Sequence, residues 1–202
     1  MKIKFGLPKE DPTFDEELIG DKWTPLKEPK SIGLASLLSI PFMLINLIIC
    51  WVVIEATSGL SLKDFGVTDS SVTISINGSH LLWLLGLIVV HELIHLIFVP
   101  HFIKSKKTYI GITWQAGFVL TEDIISRSRF LVISFAPFIV LSILLPIVLS
   151  LVGMLTPLMK VLILFNAIAS CVDMLNVYLI MTQVPKKGRL INNGFKTYWK
   201  AA

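Results

Sequence analysis

The residues in this chain best suited to chemistry form an H-E-x-x-H sequence at positions 91–95. His91 and His95 are four residues apart, so on a helix both imidazoles leave the same face and can bind one metal ion. Glu92 lies about 100° round the helix and can reach a water on that metal. The motif falls within an apolar run, where each charged group costs roughly 2.5–3.5 kcal/mol on insertion scales, and a zinc site would account for it. A polar cluster that only joins helices is the alternative.

A third ligand is expected, because catalytic zinc usually takes three protein ligands and leaves one position for water. His101 lies six residues beyond His95, on the other side of the helix, and Pro100 intervenes. His80 lies three turns before His91, at the outer end of the apolar run. We interpret both His80 and His101 as structural or interfacial residues.

A better candidate for the third ligand lies in a later apolar segment. Asn166, Ser170 and Asp173 stand at i, i+4 and i+7, which places them in one polar stripe on a helix. An unpaired charge on Asp173 would be costly there, and a divalent cation would offset that cost and keep the carboxylate ionised. The alternative is a stripe that joins helices through hydrogen bonds, which suits Asn166 and Ser170 better than Asp173. We therefore predict Asp173 as a metal ligand.

The elements that must position these residues are apolar helices. The chain has 202 residues, of which 54% are hydrophobic and 16% are charged, and its mean hydropathy is +0.77. This composition is typical of a membrane protein. Cys50 and Cys171 are expected to be unpaired small apolar residues. No basic stripe interleaved with aromatic residues is present, so nucleic-acid binding is not expected. Four segments are close to the roughly 20 residues that a spanning helix needs, namely about 33–56, 80–103, 130–152 and 157–181.

The basic residues predict how these segments are oriented. Lys and Arg are abundant before the first span, sparse after it, abundant after the second, sparse after the third and abundant after the fourth. This alternation is the positive-inside pattern for four spans with both ends in the cytoplasm. We therefore predict an all-α membrane protein with four transmembrane helices and short loops in a lipid bilayer. Residues 1–32 would be a cytoplasmic tail or partly folded cap without a signal peptide, residues 33–185 the four-span domain, and residues 186–202 a basic cytoplasmic tail.

Two segments outside the helices have strand-like patterns. Residues 72–78 alternate and end in an Asn-Gly turn signal, which predicts a short external strand. Residues 108–120 could form a small β-hairpin at the membrane face beside the metal, and its edge could take an extended substrate as an added strand. A simple interfacial loop is the alternative for this second segment.

The two motifs together resemble those of a known class of enzyme. An H-E-x-x-H sequence in one span, with Asn166 and Asp173 in a late span, resembles the site-2-type intramembrane metalloproteases. It is more similar still to the small bacterial membrane proteins grouped as putative zincin peptidases. The resemblance implies that His91, His95 and Asp173 bind Zn²⁺, that Glu92 is the catalytic base and that Asn166 helps to bind the substrate. The chain departs from the better-known pattern, because it lacks the Pro and the Asp-Gly pair around the late Asp and has no appended substrate-binding domain.

The expected function is therefore zinc-dependent hydrolysis of membrane-associated protein or peptide substrates in a bacterial cell membrane. A zinc-activated water would attack, and Glu92 would serve first as base and then as acid. Two His and one carboxylate also suit non-haem iron, which would imply an oxygenase. The third hypothesis is a catalytically silent membrane scaffold that keeps a structural metal or polar cluster.

Overall fold

Four apolar helical segments dominate the computed structural model, which describes residues 2–6, 10–67, 70–71, 73, 77–113 and 117–201. Each is long and apolar enough to cross a membrane, and together they match the predicted spans in number and order. They cover Ile40–Ser58, Gly78–Phe98, Arg127–Leu151 and Pro157–Gln183. A core of buried residues joins the first, third and fourth segments, and it includes Ile54, Phe138, Ile163, Ala167 and Met174.

Eight α-helices are present in the described part of the chain. A 3₁₀ turn, Leu62–Phe65, follows the first apolar segment, and a π-helix, Phe138–Leu144, interrupts the third. The α-helices are α1 (Pro12–Gly20), α2 (Ile32–Leu38), α3 (Ile40–Ser58), α4 (Gly78–Phe98), α5 (Arg127–Pro137), α6 (Leu145–Leu151), α7 (Pro157–Ala169) and α8 (Cys171–Gln183).

Helix α4, which carries the H-E-x-x-H motif, has clear signals at both ends. The side chain of Asn77 accepts a hydrogen bond from the backbone N–H of His80 at 3.2 Å and so caps the first turn. The helix ends at Phe98, about five residues before the predicted end. Pro100 explains this difference, because proline lacks a backbone N–H and disfavours helical backbone in the residue before it.

The third and fourth segments are interrupted helices. In the third, the π-helix follows directly on Pro137 at the end of α5. In the fourth, α7 and α8 meet at Ser170, whose hydroxyl donates to the backbone carbonyl of Asn166 at 2.9 Å. The sequence predicts one continuous helix in each case. A hydroxyl that bonds back to the preceding turn is a known cause of helix bending.

Among the described residues, seven strands form two small sheets. The first has the order β1-β3-β4, with β1 parallel to β3 and β3 antiparallel to β4, and the second is antiparallel in the order β2-β7-β6-β5. Their bounds are β1 (Lys2–Phe5), β2 (Thr24–Pro25), β3 (Thr108–Ile112), β4 (Gly117–Thr121), β5 (Ile125–Ser126), β6 (Arg189–Asn193) and β7 (Lys196–Lys200).

Residues 108–120 form a β-hairpin rather than a simple loop. The pairing of β3 with β4 confirms the predicted hairpin at residues 108–120, whose residues 114–116 lie outside the described part of the chain. The predicted strand at 72–78 also falls mostly outside the described residues. Cys50 and Cys171 are unpaired, as predicted.

The two ends of the chain fold against each other. The Lys196 ammonium lies 2.7 Å from an Asp15 carboxylate oxygen, and the Asn193 amide donates to the backbone carbonyl of Asp11 at 2.8 Å. Burial raises the pKa of Asp15, but hydrogen bonds from Lys196 and its neighbours outweigh this effect, so that pKa lies below its ordinary value. Leu18, Trp23, Ile191 and Tyr198 form the apolar core of this unit.

Candidate metal centre

Two helices bring together three side chains that can bind a metal. His91 and His95 extend from α4, and Asp173 lies in the first turn of α8. The Nε2 atom of His91 is 3.3 Å from Asp173 Oδ2, and the Nε2 atom of His95 is 3.4 Å from Asp173 Oδ1. One ligand atom from each residue lies within 4.8 Å of the other two. Both histidines are buried, so the group lies inside the helical bundle.

The hydrogen bond at the other nitrogen of His95 defines the tautomer of its ring. His95 Nδ1 lies 2.8 Å from the backbone carbonyl oxygen of Ile133, in α5. A carbonyl oxygen can only accept, so Nδ1 carries the hydrogen and donates it. In the neutral ring Nε2 then has a free lone pair, and this lone pair is on the side of Asp173.

Asn166 defines the tautomer of His91 in the same way. The Asn166 amide nitrogen donates to the Pro137 carbonyl at 3.2 Å and to the Ser142 hydroxyl at 2.9 Å. Because the Pro137 carbonyl can only accept, the amide oxygen must be the atom 2.9 Å from His91 Nδ1. His91 Nδ1 therefore donates to Asn166, and the lone pair of its Nε2 also points towards the carboxylate.

This arrangement has the donor set of a catalytic zinc site. Two imidazole lone pairs and a carboxylate repel one another at these distances unless a cation lies among them, either a metal ion or protons on the rings. Two nitrogens and one carboxylate oxygen are a set that catalytic zinc takes, with one position left for water. Backbone or amide acceptors on the remote ring nitrogens are also usual around zinc, because they orient the ligands. The residues present therefore fit a zinc ion.

Glu92 lies beside this group and under strand β4. A Cβ atom added to Gly117 would lie 2.6 Å from Glu92 Cγ and 3.0 Å from Glu92 Oε1. No real side chain tolerates the shorter distance, so only glycine lets the β4 backbone come this close. The hairpin therefore lies against the side chain of Glu92 in the H-E-x-x-H motif.

The remaining predicted residues have clear places. His80 Nδ1 lies 3.3 Å from the backbone nitrogen of Asn77 at the start of α4, and His101 lies in the turn after this helix. Neither belongs to the metal group. Asn166 is fully buried, and its amide contacts three groups of the protein itself. This geometry favours a role in positioning His91, and contact of Asn166 with substrate stays a prediction.

Ser142 and Gly117 are the site residues that the sequence analysis missed. Ser142 is a lone hydroxyl in the apolar stretch between Pro137 and Pro146, and a buried hydroxyl in such a segment needs a partner, which was the available signal. Gly117 had no comparable signal, because its contact with Glu92 depends on how the hairpin lies against α4.

Comparison with known proteins agrees with this geometry. No curated protein and no solved structure matches the chain. A family model with the description "Putative zincin peptidase" matches residues 84–188, a range that contains His91, Glu92, His95, Asn166 and Asp173. Since the match covers more than half of the 202 residues, the chain belongs to the putative zincin peptidase family.

Proposed function

We propose that the protein is a zinc-dependent metallopeptidase of a membrane and that it hydrolyses membrane-associated proteins or peptides. The observation that carries this proposal is the convergence of two imidazole Nε2 atoms on one carboxylate, at 3.3 and 3.4 Å. The remote nitrogen of each ring has its own hydrogen-bond acceptor, so both lone pairs are available to a metal. Membership of a zincin family supports zinc as that metal.

The proposed ligands are His91, His95 and Asp173, with Asn166 and the Ile133 carbonyl holding the two rings in place. A bound zinc ion would polarise the substrate carbonyl and lower the pKa of a coordinated water to about 7. Asn166 in turn is held by Ser142 and the Pro137 carbonyl. Outer contacts of this kind keep the ligand rings in one orientation, so that little reorganisation is needed during the reaction.

Glu92 is the proposed proton carrier. Its carboxylate accepts a proton from water as the water oxygen bonds to the carbonyl carbon of the peptide. It then delivers this proton to the amide nitrogen as the carbon–nitrogen bond breaks, so that the products are a carboxylic acid and an amine. Strand β4 lies directly against this carboxylate at Gly117 and so limits the positions it can take.

Strand β4 also suggests the form of the substrate. It is an edge strand of the β1-β3-β4 sheet, and its side away from β3 has no strand partner among the described residues. An extended peptide could add to this edge through main-chain hydrogen bonds and would then lie beside Glu92. A helical substrate has its carbonyls already hydrogen-bonded, so it must unwind locally before it can bind in this way. Gly or Pro in a substrate helix would favour that unwinding.

Four apolar helices support a location in a membrane. Large apolar side chains of α3 and α4 are exposed on the surface of the chain, among them Leu44, Ile48, Leu82, Val89 and Ile97. A lipid bilayer would cover this surface. The distribution of Lys and Arg supports cytoplasmic ends for the chain, and the family resemblance supports a bacterial cell membrane.

The first test is the metal content of detergent-purified protein, measured by mass spectrometry. We expect about one zinc per chain in the wild type and its loss in His91→Ala and His95→Ala. His80→Ala is the matched control, since His80 lies on the same helix but outside the metal group, and it should keep its zinc. A well-folded wild type without metal would contradict the proposal, and bound iron in place of zinc would favour an oxygenase.

The second test separates an enzyme from a scaffold. Glu92→Gln should keep its zinc and lose peptide hydrolysis, because glutamine cannot carry the proton. Labelling of the amino termini in membrane fractions should reveal new termini in cells that express the wild type, and these should be missing with Glu92→Gln. If zinc is bound and both strains have the same termini, the chain is a scaffold with a structural metal.

A further inference from the structure

One face of the β1-β3-β4 sheet is apolar and largely open towards the hairpin turn, whereas Thr108 and Thr121 are buried at its other end. Strand residues alternate between two faces, and the strand register places Ile3 beside Ile110 and Phe5 beside Ile112. Val119 of β4 pairs with Ile110 and completes this face. Phe5 is 87% exposed, Ile3 is 70% exposed and Ile112 is 52% exposed. We call these five side chains the open sheet face.

The opposite face of the same sheet is covered. Tyr109, Phe118 and Leu120 point to that side and are buried as one cluster. The ring of Phe118 also packs edge-on against Phe195, in the turn between β6 and β7, with 5.5 Å between ring centroids. One face of the sheet is thus packed against the folded ends of the chain. The other face is open at Ile3, Phe5 and Ile112 but lies against Glu92 at Gly117.

The open sheet face lies on the side of α4. Phe5, Ile112 and Gly117 form one row across the three strands, and a Cβ on Gly117 would point at Glu92. Phe5 therefore lies two strand spacings, about 10 Å, from the strand that touches Glu92. Glu92 is six residues, or about 9 Å, before the end of α4 at Phe98. The Gly117 end of this row therefore lies level with the apolar part of the helix rather than beyond its end.

Charge is concentrated at the other end of the strands. Lys106 and Lys107 precede β3, and Glu122 and Asp123 follow β4, where the backbone N–H of Glu122 donates to the Lys107 carbonyl at 2.9 Å. Lys2 begins β1 at this same end and lies over the Tyr109 ring. Apart from Lys4 in β1, the sheet changes along its strands from a charged end to the apolar row of Phe5 and Ile112. This gradient is the one found across a membrane–water interface.

We propose that the open sheet face is a lipid-binding surface, which seats the N-terminal strand and the hairpin in the bilayer leaflet at the end of α4. Phe5 and Ile3 are the main anchors, with their side chains in the margin of the hydrocarbon. Strand β1 also gives the outer edge of β3 its main-chain partners at a depth where water cannot supply them. Because β1 is the strand farthest from Glu92, a peptide bound along β4 would leave Phe5 uncovered, whereas lipid would cover it. The inference rests on the membrane part of the proposed function but not on catalysis.

The test uses nitroxide spin labels in vesicles of phosphatidylethanolamine and phosphatidylglycerol. Single labels are placed with Phe5→Cys and Ile112→Cys, in a background with Cys50→Ala and Cys171→Ala. Leu82→Cys on exposed α4 serves as the lipid control, Glu16→Cys on α1 as the water control, and Lys2→Cys as the matched control on the same strand. Oxygen concentrates in hydrocarbon and a polar nickel chelate stays in water, so their collision rates with the label report depth.

We expect the ratio of oxygen to nickel collisions at residue 5 to be about tenfold higher than at residue 16, and close to that at residue 82. Residue 112 should behave like residue 5, and residue 2 like residue 16. If the collision ratio is high at residue 82 but low at residues 5 and 112, these two residues face water. The inference is then wrong, and the membrane proposal stands. Low collision rates with both reagents at residue 5 would show a protein partner instead, and would also overturn it. If the collision ratio at residue 82 is as low as at residue 16, the membrane proposal itself fails.

Discussion

Two carboxylates lie along the fourth apolar segment, Asp64 against Lys160 near its start and Asp173 near its middle, and they are neutralised in different ways. Asp64 lies 3.0 Å from the ammonium of Lys160, near the start of α7, and Lys160 also donates to the Gly59 carbonyl at 2.8 Å. Asp173 instead faces two imidazole nitrogens that carry lone pairs, because both rings donate from their remote nitrogens. The first group is complete within the protein, and the second needs a cation from outside it or protons on its rings.

This difference separates a structural ion pair from the proposed metal site. The backbone N–H of Ser61 also bonds to Asp64, and together with Lys160 it holds the pKa of that carboxyl below its ordinary value. Every charge in this pair therefore has a partner, and the pair ties the loop after α3 to α7. Around Asp173 the protein supplies ligand atoms and orients them, but no lysine or arginine of the described residues forms an ion pair with this carboxylate. Buried polar groups that are oriented but incompletely neutralised are the ones to examine for chemistry.

The largest difference between the two groups should appear when each carboxylate becomes an amide. Asp173→Asn removes the charged ligand, so we expect its zinc content to fall from about one per chain to near zero. Asp64→Asn should keep its zinc, because it changes only the ion pair. Metal analysis of both variants after the same purification checks this. Equal zinc in the two variants would show that Asp173 only joins helices.

The approach of β4 to Glu92 offers a second contrast, between two glycines. Gly117→Ala would place a methyl group 2.6 Å from Glu92 Cγ, whereas Gly86 on α4 has open space around it. We expect Gly117→Ala to lower cleavage about 100-fold, the cost of a displacement near 1 Å, with zinc retained. Gly86→Ala should leave cleavage unchanged. Cleavage by both variants is measured as the abundance of the Glu92-dependent amino termini. Equal cleavage by the two variants would contradict the proposed contact between β4 and Glu92.

A third contrast lies within the hydrogen bonds behind His91. Asn166→Ala removes the acceptor of the ring hydrogen, and we expect zinc affinity to fall about 10- to 100-fold. Ser142→Ala removes only a partner of Asn166, so its effect should lie at the lower end of that range. Competition with a zinc-binding dye gives both affinities. If Ser142→Ala binds zinc more weakly than Asn166→Ala, then Ser142 does not act on His91 through Asn166.

The smallest effect on the metal centre should come from the ion pair itself. Lys160→Met leaves the partly buried Asp64 carboxylate without its cation but with the Ser61 N–H, which we expect to cost about 1–3 kcal/mol of folding free energy. We therefore expect a clearly lower melting temperature in detergent with unchanged zinc affinity. Val172→Met, at a partly exposed position of α8, serves as a control for the added methionine. Loss of zinc affinity in folded Lys160→Met would show that the two groups are coupled.

The parts of the molecule that follow from local sequence were predictable. Four apolar runs of about 20 residues are sufficient to indicate four helices. The spacing of His91 and His95 defines a shared helix face, and the stripe of Asn166, Ser170 and Asp173 points to a second one. Although the fourth segment breaks at Ser170, the structure still brings Asp173 to the two histidines.

The parts that depend on contacts between distant residues were not predictable. The amide of Asn166 bonds to Ser142 and Pro137 because the π-helix and the break at Ser170 bring these turns together, and no sequence spacing encodes that. The terminal sheet pairs β2 with β7, which lie about 170 residues apart in the sequence. Its β6–β7 hairpin did have a signal, since Asn193-Gly194 is a hairpin turn sequence and Gly194 has a φ of 58°.

X-ray absorption at the zinc edge of the purified wild type would identify the atoms that bind the proposed zinc ion. We expect two imidazole nitrogens at about 2.0–2.1 Å, with the remaining ligands oxygen, and loss of the imidazole scattering in His91→Ala and His95→Ala. Sulfur at about 2.3 Å would assign the zinc to a cysteine, and a spectrum without imidazole would place the zinc elsewhere. Either result would contradict a centre formed by His91, His95 and Asp173.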